Sequence, residues 1–290
     1  MNVASLSEDA RAGLPSAVQA YVSALEAEVQ QASSRLNLNV ECSCHRSLTT
    51  DGASCPDEVL ARLQGIGVAT LIQHLQRLGV HRTFLTGVFP RTAAQRFAGR
   101  AVTLRCLPTR ADVAKELAAV RGQTLHFRAY ETIDAGQVLV IDARGDIDAA
   151  VGGDLLVARL QARGARALVT DGAIRDLPGV REVGLPVYTK GVQAATFNEN
   201  HIPVDLNVPV QCSGVLIRPG DILVGDEEGV LVIPTEMAAQ VAEAAAENER
   251  MDSFLMMKIK AGAPLAGTFP AGEQTRAEYE AWRKEQDARS

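Results

Sequence analysis

The chain has 290 residues, 47% of them hydrophobic and 22% charged, with 24 Gly, 12 Pro and a formal net charge of -6. That composition can fill a sizeable core and excludes disordered, collagen-like and coiled-coil chains. With 29 Lys and Arg against 35 Asp and Glu, and no dense basic run, nucleic acid is not an expected partner.

No run of 18 apolar residues is present, so no membrane partner is expected. The opening MNVASLSEDARAGLP carries acids where a secretory leader needs a basic flank and an apolar centre, and the expected location is the cytoplasm. Residues 14–35 place Val18, Tyr21, Val22, Leu25 and Val29 at spacings of three and four after a Pro-Ser start, predicting an amphipathic helix. A polar loop then carries Cys42, Cys44, His45 and Cys55. These are ligand types that zinc prefers, but Cys-x-Cys lacks the two intervening residues of the usual knuckle and no second Cys pair follows. Incidental thiols or a redox-labile loop explain the cluster as well. A helical pattern runs from Asp57 to Gly79, which leaves residues 1–56 as a helical extension able to dock on its own domain or on a neighbouring subunit.

From residue 83 the texture changes to short β-branched runs: TFLTGV, GRAVTLRCLP, GQVLVIDA, RALVTDG, PVYTKG and VPVQCSGVLIRPGDILVGDEEGVLVIP. Helical patterns fall between some of them, at 110–122, 124–134 and 153–163, so α/β or α+β layers are expected rather than a pure doubly wound sheet. Cys106 and Cys212 sit inside apolar runs and read as small core residues. From Thr235, a candidate N-cap, a long Ala-, Glu- and Met-rich helix follows, and a polar helix around 272–288 should be peripheral.

The segment AVGGDLLVARLQARGARALVTDGAIRD, residues 150–176, carries the chemistry. Gly152-Gly153-Asp154 opens a helix closed by Gly164, and Leu155, Leu156, Ala158 and Leu160 are its expected buried face. Unpaired N–H groups at such a start, with the positive end of the helix dipole, suit a small carboxylate. The strand ALVT then runs into Asp171-Gly172-Ala173-Ile174-Arg175-Asp176, beyond a strand end where α/β enzymes place reactive groups. Arg can neutralise a carboxylate or oxyanion through its planar fork, and Asp can hold a hard divalent cation. A structural ion pair in a turn explains Arg175–Asp176 equally well.

An ordered set of motifs carries a resemblance. It comprises Gly153-Asp154-Leu155-Leu156, Asp171 to Asp176, Leu185-Pro186-Val187-Tyr188, Asn207 to Val215, Arg218 to Asp226 and Gly229 to Pro234. Over about 60–255 the chain resembles the family of the regulator of ribonuclease E activity protein A and the 4-hydroxy-4-methyl-2-oxoglutarate (4-carboxy-4-hydroxy-2-oxoadipate) aldolases. The resemblance implies a layered αββα sandwich of the swivelling β/β/α type over residues 57–255, with 256–290 as a helical tail. It implies homotrimers or homohexamers with interface active sites, and a divalent-metal-dependent lyase releasing pyruvate from a 4-hydroxy-2-oxo acid or decarboxylating oxaloacetate.

Carried over by position, the amides of Gly153 and Leu156 would bind the carboxylate of the pyruvyl half. Asp176 would ligate Mg²⁺ or Mn²⁺, largely through waters, and Arg175 would contact the keto oxygen. Asp154 would orient a metal-associated water that serves as acid and base. A cation chelated by the 2-oxo acid would then stabilise an enolate without a Schiff base, consistent with the absence of Lys from 124 to 189. Alternatives of the same fold are a non-enzymatic protein-binding regulator and a lyase or hydratase acting on another substrate.

Other residues carry weaker claims. Asp142, Asp146 and Asp148 could supplement the metal's outer shell but read more readily as loop carboxylates or caps. His201 reads as an exposed loop histidine, Lys190 as an anion anchor, and Asp221, Asp226 and Glu227 as turn residues. Some relatives have an acid three positions beyond the motif Asp. Here Gly179 stands there, so any extra carboxylate must come from elsewhere, for instance Glu182 or another chain.

Overall fold

The computed structural model describes residues 55–93 and 95–288. The expected helix at 14–35 and three of the four loop ligands, Cys42, Cys44 and His45, lie outside the described residues. The described residues all fall in one compact unit. Cys55, the fourth loop residue, is a free thiol buried among Leu60, Leu63 and Ile66.

The run expected as one helix from Asp57 to Gly79 is two, α1 (Asp57–Gln64) and α2 (Val68–Arg77). Gly65 and Gly67 flank the break, and the α2 amides of Gly67 and Val68 are taken by the carboxylates of Glu249 and Asp226. Strands β1 (Phe89–Pro90) and β2 (Phe97–Pro108) follow, then α3 (Ala111–Ala119) and α4 (Leu125–Thr132). The predicted strand TFLTGV contributes only an isolated bridge, Phe84 to Leu231. Next come β3 (Gln137–Asp142), α5 (Asp154–Ala162), β4 (Ala167–Thr170), β5 (Ala173–Ile174), α6 (Leu177–Val183), β6 (Val187–Thr189) and β7 (Gly191–Val192). The chain continues through α7 (Phe197–Asn200), β8 (His201–Leu206), β9 (Val210–Cys212), β10 (Val215–Ile217), β11 (Ile222–Asp226) and β12 (Gly229–Ile233). It ends in α8 (Ala238–Lys260) and α9 (Glu273–Asp287).

The main sheet has the order β1-β6-β4-β3-β2-β11-β12, with β8 paired to the far half of β2. β2, β3, β4 and β6 run parallel, and β1, β8 and β11 join antiparallel. Strict alternation assigns the two faces. In β3, Leu139 and Ile141 face α4, α5 and α6, whereas Val138 and Val140 face the β9–β10 hairpin. Toward the β11–β12 end the helical face is covered by α1, α2 and α8. The result is the expected α/β/β layering: helices on one face of a mixed sheet and a small second sheet on the other.

Thr235 is not the cap of the long helix. Its hydroxyl donates to the Gly220 carbonyl, and a short 3-10 turn over Thr235–Met237 precedes α8, which crosses residue 255 without a break. Helix α9 packs on the second half of α8 through Tyr279 and Trp282 against Phe254. No helix among the described residues is long and apolar enough to cross a membrane.

Candidate active site

Helix α5 starts where its glycines place it. Gly153 is the N-cap with φ -139° and ψ -168°, and Asp154 is the first helical residue. Gly164, in the left-handed region at φ +81°, stops the helix. The expected buried face of Leu155, Leu156, Ala158 and Leu160 is corrected at three positions: Val157 is buried with Leu160, Ala158 is only half-buried, and Leu155 is 82% exposed. At 100° per residue, 156, 157 and 160 share a side of the helix and 155 points away from it.

Two backbone bonds and one bridge bring the glycine tip to the Arg-Asp corner. Ala150 bridges Ala173, the Val151 amide donates to the Ala173 carbonyl, and the Arg175 amide donates to the Gly152 carbonyl. The strand ending at Ile174 is therefore zipped to the loop that feeds α5. As a consequence Gly153, Asp154, Leu156, Arg175 and Asp176, all five expected site residues, line one cavity of about 300 Å³.

Contacts inside the corner are tight. A Cβ built on Gly153 would stand 2.3 Å from Asp176 Oδ2 and 3.2 Å from Arg175 Cγ. Asp176 itself is left-handed at φ +53° and serves as N-cap residue of α6. Arg175 Nε donates to Asp176 Oδ2 at 2.9 Å, so the structural ion pair foreseen as an alternative does exist. With both side chains more than a third exposed, that pair contributes little to stability. Neither terminal nitrogen of Arg175 has a protein partner among the described residues, so both can reach a ligand anion.

The first-turn amides are equally available. Leu155 N–H is taken by its neighbour Asp154 Oδ1 at 2.7 Å, and the first helical bond runs from Val157 to the Gly153 carbonyl. The amides of Gly153 and Leu156 have no protein acceptor among the described residues, the state in which a helix start receives an anion.

Asp154 and Asp176 are the carboxylates of this lining, and no three His, Cys, Asp or Glu side chains converge on a metal position among the described residues. Two carboxylates and no other converging protein donor among the described residues are compatible with a hard ion such as Mg²⁺ or Mn²⁺ that keeps several waters and completes its shell from the substrate. Gly179 closes one route to a third carboxylate. A Cβ there would stand 2.6 Å from Asp154 Oδ2 and 2.9 Å from Asp154 Cβ, so an acidic side chain could not coexist with Asp154 in this position. Glu182 is exposed on α6 and does not line the cavity.

The cavity has a second group of walls that sequence reasoning missed. The start of α4 gives Thr124, His126 and Phe127, and the start of α7 gives Thr196, Phe197 and Asn198. His126 is buried and stacks on Phe197 with ring centroids 3.8 Å apart and planes 9° apart. Its Nε2 lies 2.7 Å from the Val151 carbonyl, which also accepts from Tyr130 Oη at 3.1 Å. α4 thereby anchors the loop that presents Gly152 and Gly153. No local motif announces this, because the stacked partners are about seventy positions apart.

The remaining acids are structural. Asp142 accepts from the Arg144 and Gln211 amides and from Gln211 Nε2, and burial pushes its carboxyl above the usual range. Asp146 accepts from the Asp148 amide and from Asn200 Nδ2, a turn cap as expected. Asp221 holds Arg218, and Asp226 caps α2. His201 is the reverse of the exposed loop histidine expected: it opens β8 at 1% exposure, with Nε2 3.2 Å from the Ala149 carbonyl, and burial pushes its pKa down. Lys190 lies beside the Gly145 turn and does not line the cavity. Burial raises the Cys106 and Cys212 thiols, and both are free core residues.

Asp171, 1% exposed, accepts from the Ala143 and Ser213 amides and from Gln211 Nε2. Asp171→Ala would strand three donors in the sheet interior, and a stability loss of about 2–3 kcal/mol is expected in urea unfolding. A loss below about 0.5 kcal/mol would show that these bonds do not hold β3, β4 and the hairpin together.

Comparisons with known proteins show which family the chain belongs to. A family model described as RraA-like, Aldolase/RraA, matches residues 68–232. A Halalkalibacterium halodurans protein provisionally named a 4-hydroxy-4-methyl-2-oxoglutarate aldolase is 38% identical over 117 residues, 40% of this chain and 55% of its own length. The match thus spans about half the length of that relative. An Azotobacter vinelandii protein with the same provisional name is 31% identical over 138 residues, 48% of this chain and 76% of its own. Among solved structures, an unusual member of the RNase ES inhibitor RraA protein family from Streptomyces coelicolor overlays with a TM-score of 0.64 at 31% identity, covering 70% of this chain and 98% of that one. The matched region contains both the glycine tip and the Arg175–Asp176 corner, and with more than half of its length inside the family model the chain belongs to the RraA-like Aldolase/RraA family.

Proposed function

We propose that the protein is a divalent-metal-dependent lyase that cleaves a C–C bond of a 2-oxo acid, releasing pyruvate from a 4-hydroxy-2-oxo acid or carbon dioxide from oxaloacetate. The observation that carries this reading is the convergence of the Gly153 helix tip with Arg175 and Asp176 on one cavity. The names of the Halalkalibacterium and Azotobacter relatives point to the same class of reaction.

In this reading the amides of Gly153 and Leu156 hold the substrate carboxylate, as open first-turn donors do. The terminal nitrogens of Arg175 face the keto oxygen, where negative charge accumulates as the C3–C4 bond breaks. Asp154 orients a water that takes the proton of the 4-hydroxyl group. The bonding pair of C3–C4 passes to the pyruvyl half as an enolate while the other half leaves as a carbonyl compound, and the same water returns the proton to C3. Asp176 would hold Mg²⁺ or Mn²⁺, which when bound supplies electron withdrawal from the 2-oxo group. Lys190 stands outside the cavity and no Lys lines it among the described residues, so a Schiff base has no amine here.

Assembly into homotrimers or homohexamers belongs to the same proposal. Its support is Leu155, 82% exposed beside the site mouth, where a neighbouring subunit would cover it. A cytoplasmic location is supported by the three free cysteines Cys55, Cys106 and Cys212.

The test follows pyruvate from oxaloacetate and from 4-hydroxy-4-methyl-2-oxoglutarate with Mg²⁺, with Mn²⁺ and with chelator. Release that requires the metal and returns when it is restored is the expected result. Release indifferent to chelator would overturn the metal-dependent mechanism. Absence of release from both acids would favour the regulator reading.

A further inference from the structure

We infer that His126, Tyr130 and His201 are positioning residues of the site: from the protein interior they hold the carbonyls of the loop 149–153 and so aim the Gly153 amide at the substrate carboxylate. The inference rests on the lyase reading and adds to it the groups, remote from the reacting atoms, that set the anion-binding end of the cavity.

Two adjacent glycines cannot fix their own direction. Gly152 and Gly153 have no side chains to pack, so the orientation of the Gly153 amide depends on how firmly the preceding peptides are held. Backbone partners supply part of that restraint: the Ala150 amide donates to the Ala195 carbonyl, the Val151 amide to the Ala173 carbonyl, and the Gly152 carbonyl accepts from the Arg175 amide. Side chains supply the rest. The Ala149 carbonyl lies 3.2 Å from His201 Nε2, and the Val151 carbonyl lies 2.7 Å from His126 Nε2 and 3.1 Å from Tyr130 Oη. A carbonyl only accepts, so both imidazoles carry a hydrogen on Nε2.

Phe197 locks the two rings. It stacks on His126 with centroids 3.8 Å apart and packs against His201 at 5.3 Å. An imidazole N–H points in the plane of its ring, so fixing the planes fixes the direction in which each donor reaches the loop. Tyr130 also closes on the loop itself: a Cβ on Gly152 would stand 2.6 Å from its hydroxyl oxygen. All three donors are buried, and Tyr130 and His201 do not line the cavity. An effect of either on ligand binding therefore passes through the loop. Open donors at a helix start hold an anion well only when they are already aimed, so a loosened loop costs affinity before it costs the fold.

The experiment uses the full-length protein with Mg²⁺. His126→Asn has no donor at the Nε2 position, His126→Gln carries an amide N–H at that reach, and Tyr130→Phe removes only the hydroxyl group. His126→Asn should raise the pyruvate Kd in calorimetry and the oxaloacetate KM about tenfold with kcat within about threefold, and His126→Gln should restore both constants. Tyr130→Phe should raise the same two constants about threefold, and it carries the test if His126→Asn does not fold. Amide exchange read by mass spectrometry should quicken at least about tenfold over 149–156 in His126→Asn and stay unchanged over β3. A merely structural role would lower Tm, and kcat through the folded fraction, while leaving Kd and KM alone. Unchanged Kd and KM in Tyr130→Phe overturn the inference, and an effect of His126→Asn alone would then make that imidazole a direct ligand contact. If the unmodified protein neither binds pyruvate nor cleaves oxaloacetate, the lyase reading falls and exchange decides the clamp: quickening that His126→Gln reverses upholds it, and unaltered exchange removes it.

Discussion

Gly153→Ala should lower metal-dependent pyruvate release by about a hundredfold or more while the protein remains folded. The backbone at 153, φ -139° and ψ -168°, is extended and open to alanine without strain, so the effect is steric and local. The added Cβ would stand 2.3 Å from Asp176 Oδ2 and 3.2 Å from Arg175 Cγ. Neither side chain can keep its place, and the residues displaced are those that face the reacting carbonyl. Displacements on the scale of one ångström at such positions are enough to cost two orders of magnitude. Gly184→Ala is the control: Gly184 is left-handed at φ +79° with nothing within 4 Å of its Cβ position. That variant should lose about 1 kcal/mol of stability and keep its kcat. Steady-state kinetics beside thermal unfolding separate the two cases. Full activity in Gly153→Ala would mean that the tip and the corner are not one site.

The parts of this site visible in the sequence are those written in local chemistry. Gly152-Gly153-Asp154 marks a helix start because glycine and aspartate punctuate chains within a few residues, and Gly164 marks its end the same way. Arg175–Asp176 is legible because a short apolar strand precedes it. Convergence of the two required only that a strand and the loop before the preceding helix pair, as Val151 and Ala173 do.

What stayed hidden depends on pairings across long stretches of chain. His126 and Phe197 stack from helices on either side of the motif, and neither sits in a pattern with its own periodicity. His201 looked like a loop residue because NENHIP is polar, yet β8 pairs with β2 and carries the imidazole into the interior. Leu155 shows the converse failure: an apolar residue in an apolar run that the helix turns outward. Binary patterning fixes which side chains are apolar, whereas the phase of a nine-residue helix is set by its tertiary partners. The Gly179 position gained its meaning only from the structure, where it lies against Asp154 with no room for a side chain.

Asp176→Asn should abolish most of the metal-stimulated rate, about 10²–10³-fold in kcat, with little change in thermal stability. Asparagine is the informative replacement because Asp176 sits at φ +53°, a conformation Asn tolerates and Ala does not. The amide oxygen can still accept from Arg175 Nε, so the corner keeps its shape and loses only its charge. If Asp176 served merely as a turn residue, the swap would be silent, since an exposed ion pair of this kind is worth under about 1 kcal/mol. If it holds the cation, Mn²⁺ titration by calorimetry should lose its binding isotherm together with the activity. Retained Mn²⁺ binding with retained turnover would move the metal away from Asp176. Retained binding with lost turnover would instead make the carboxylate a partner that orients Arg175 toward the keto oxygen, a role the 2.9 Å contact between them already allows.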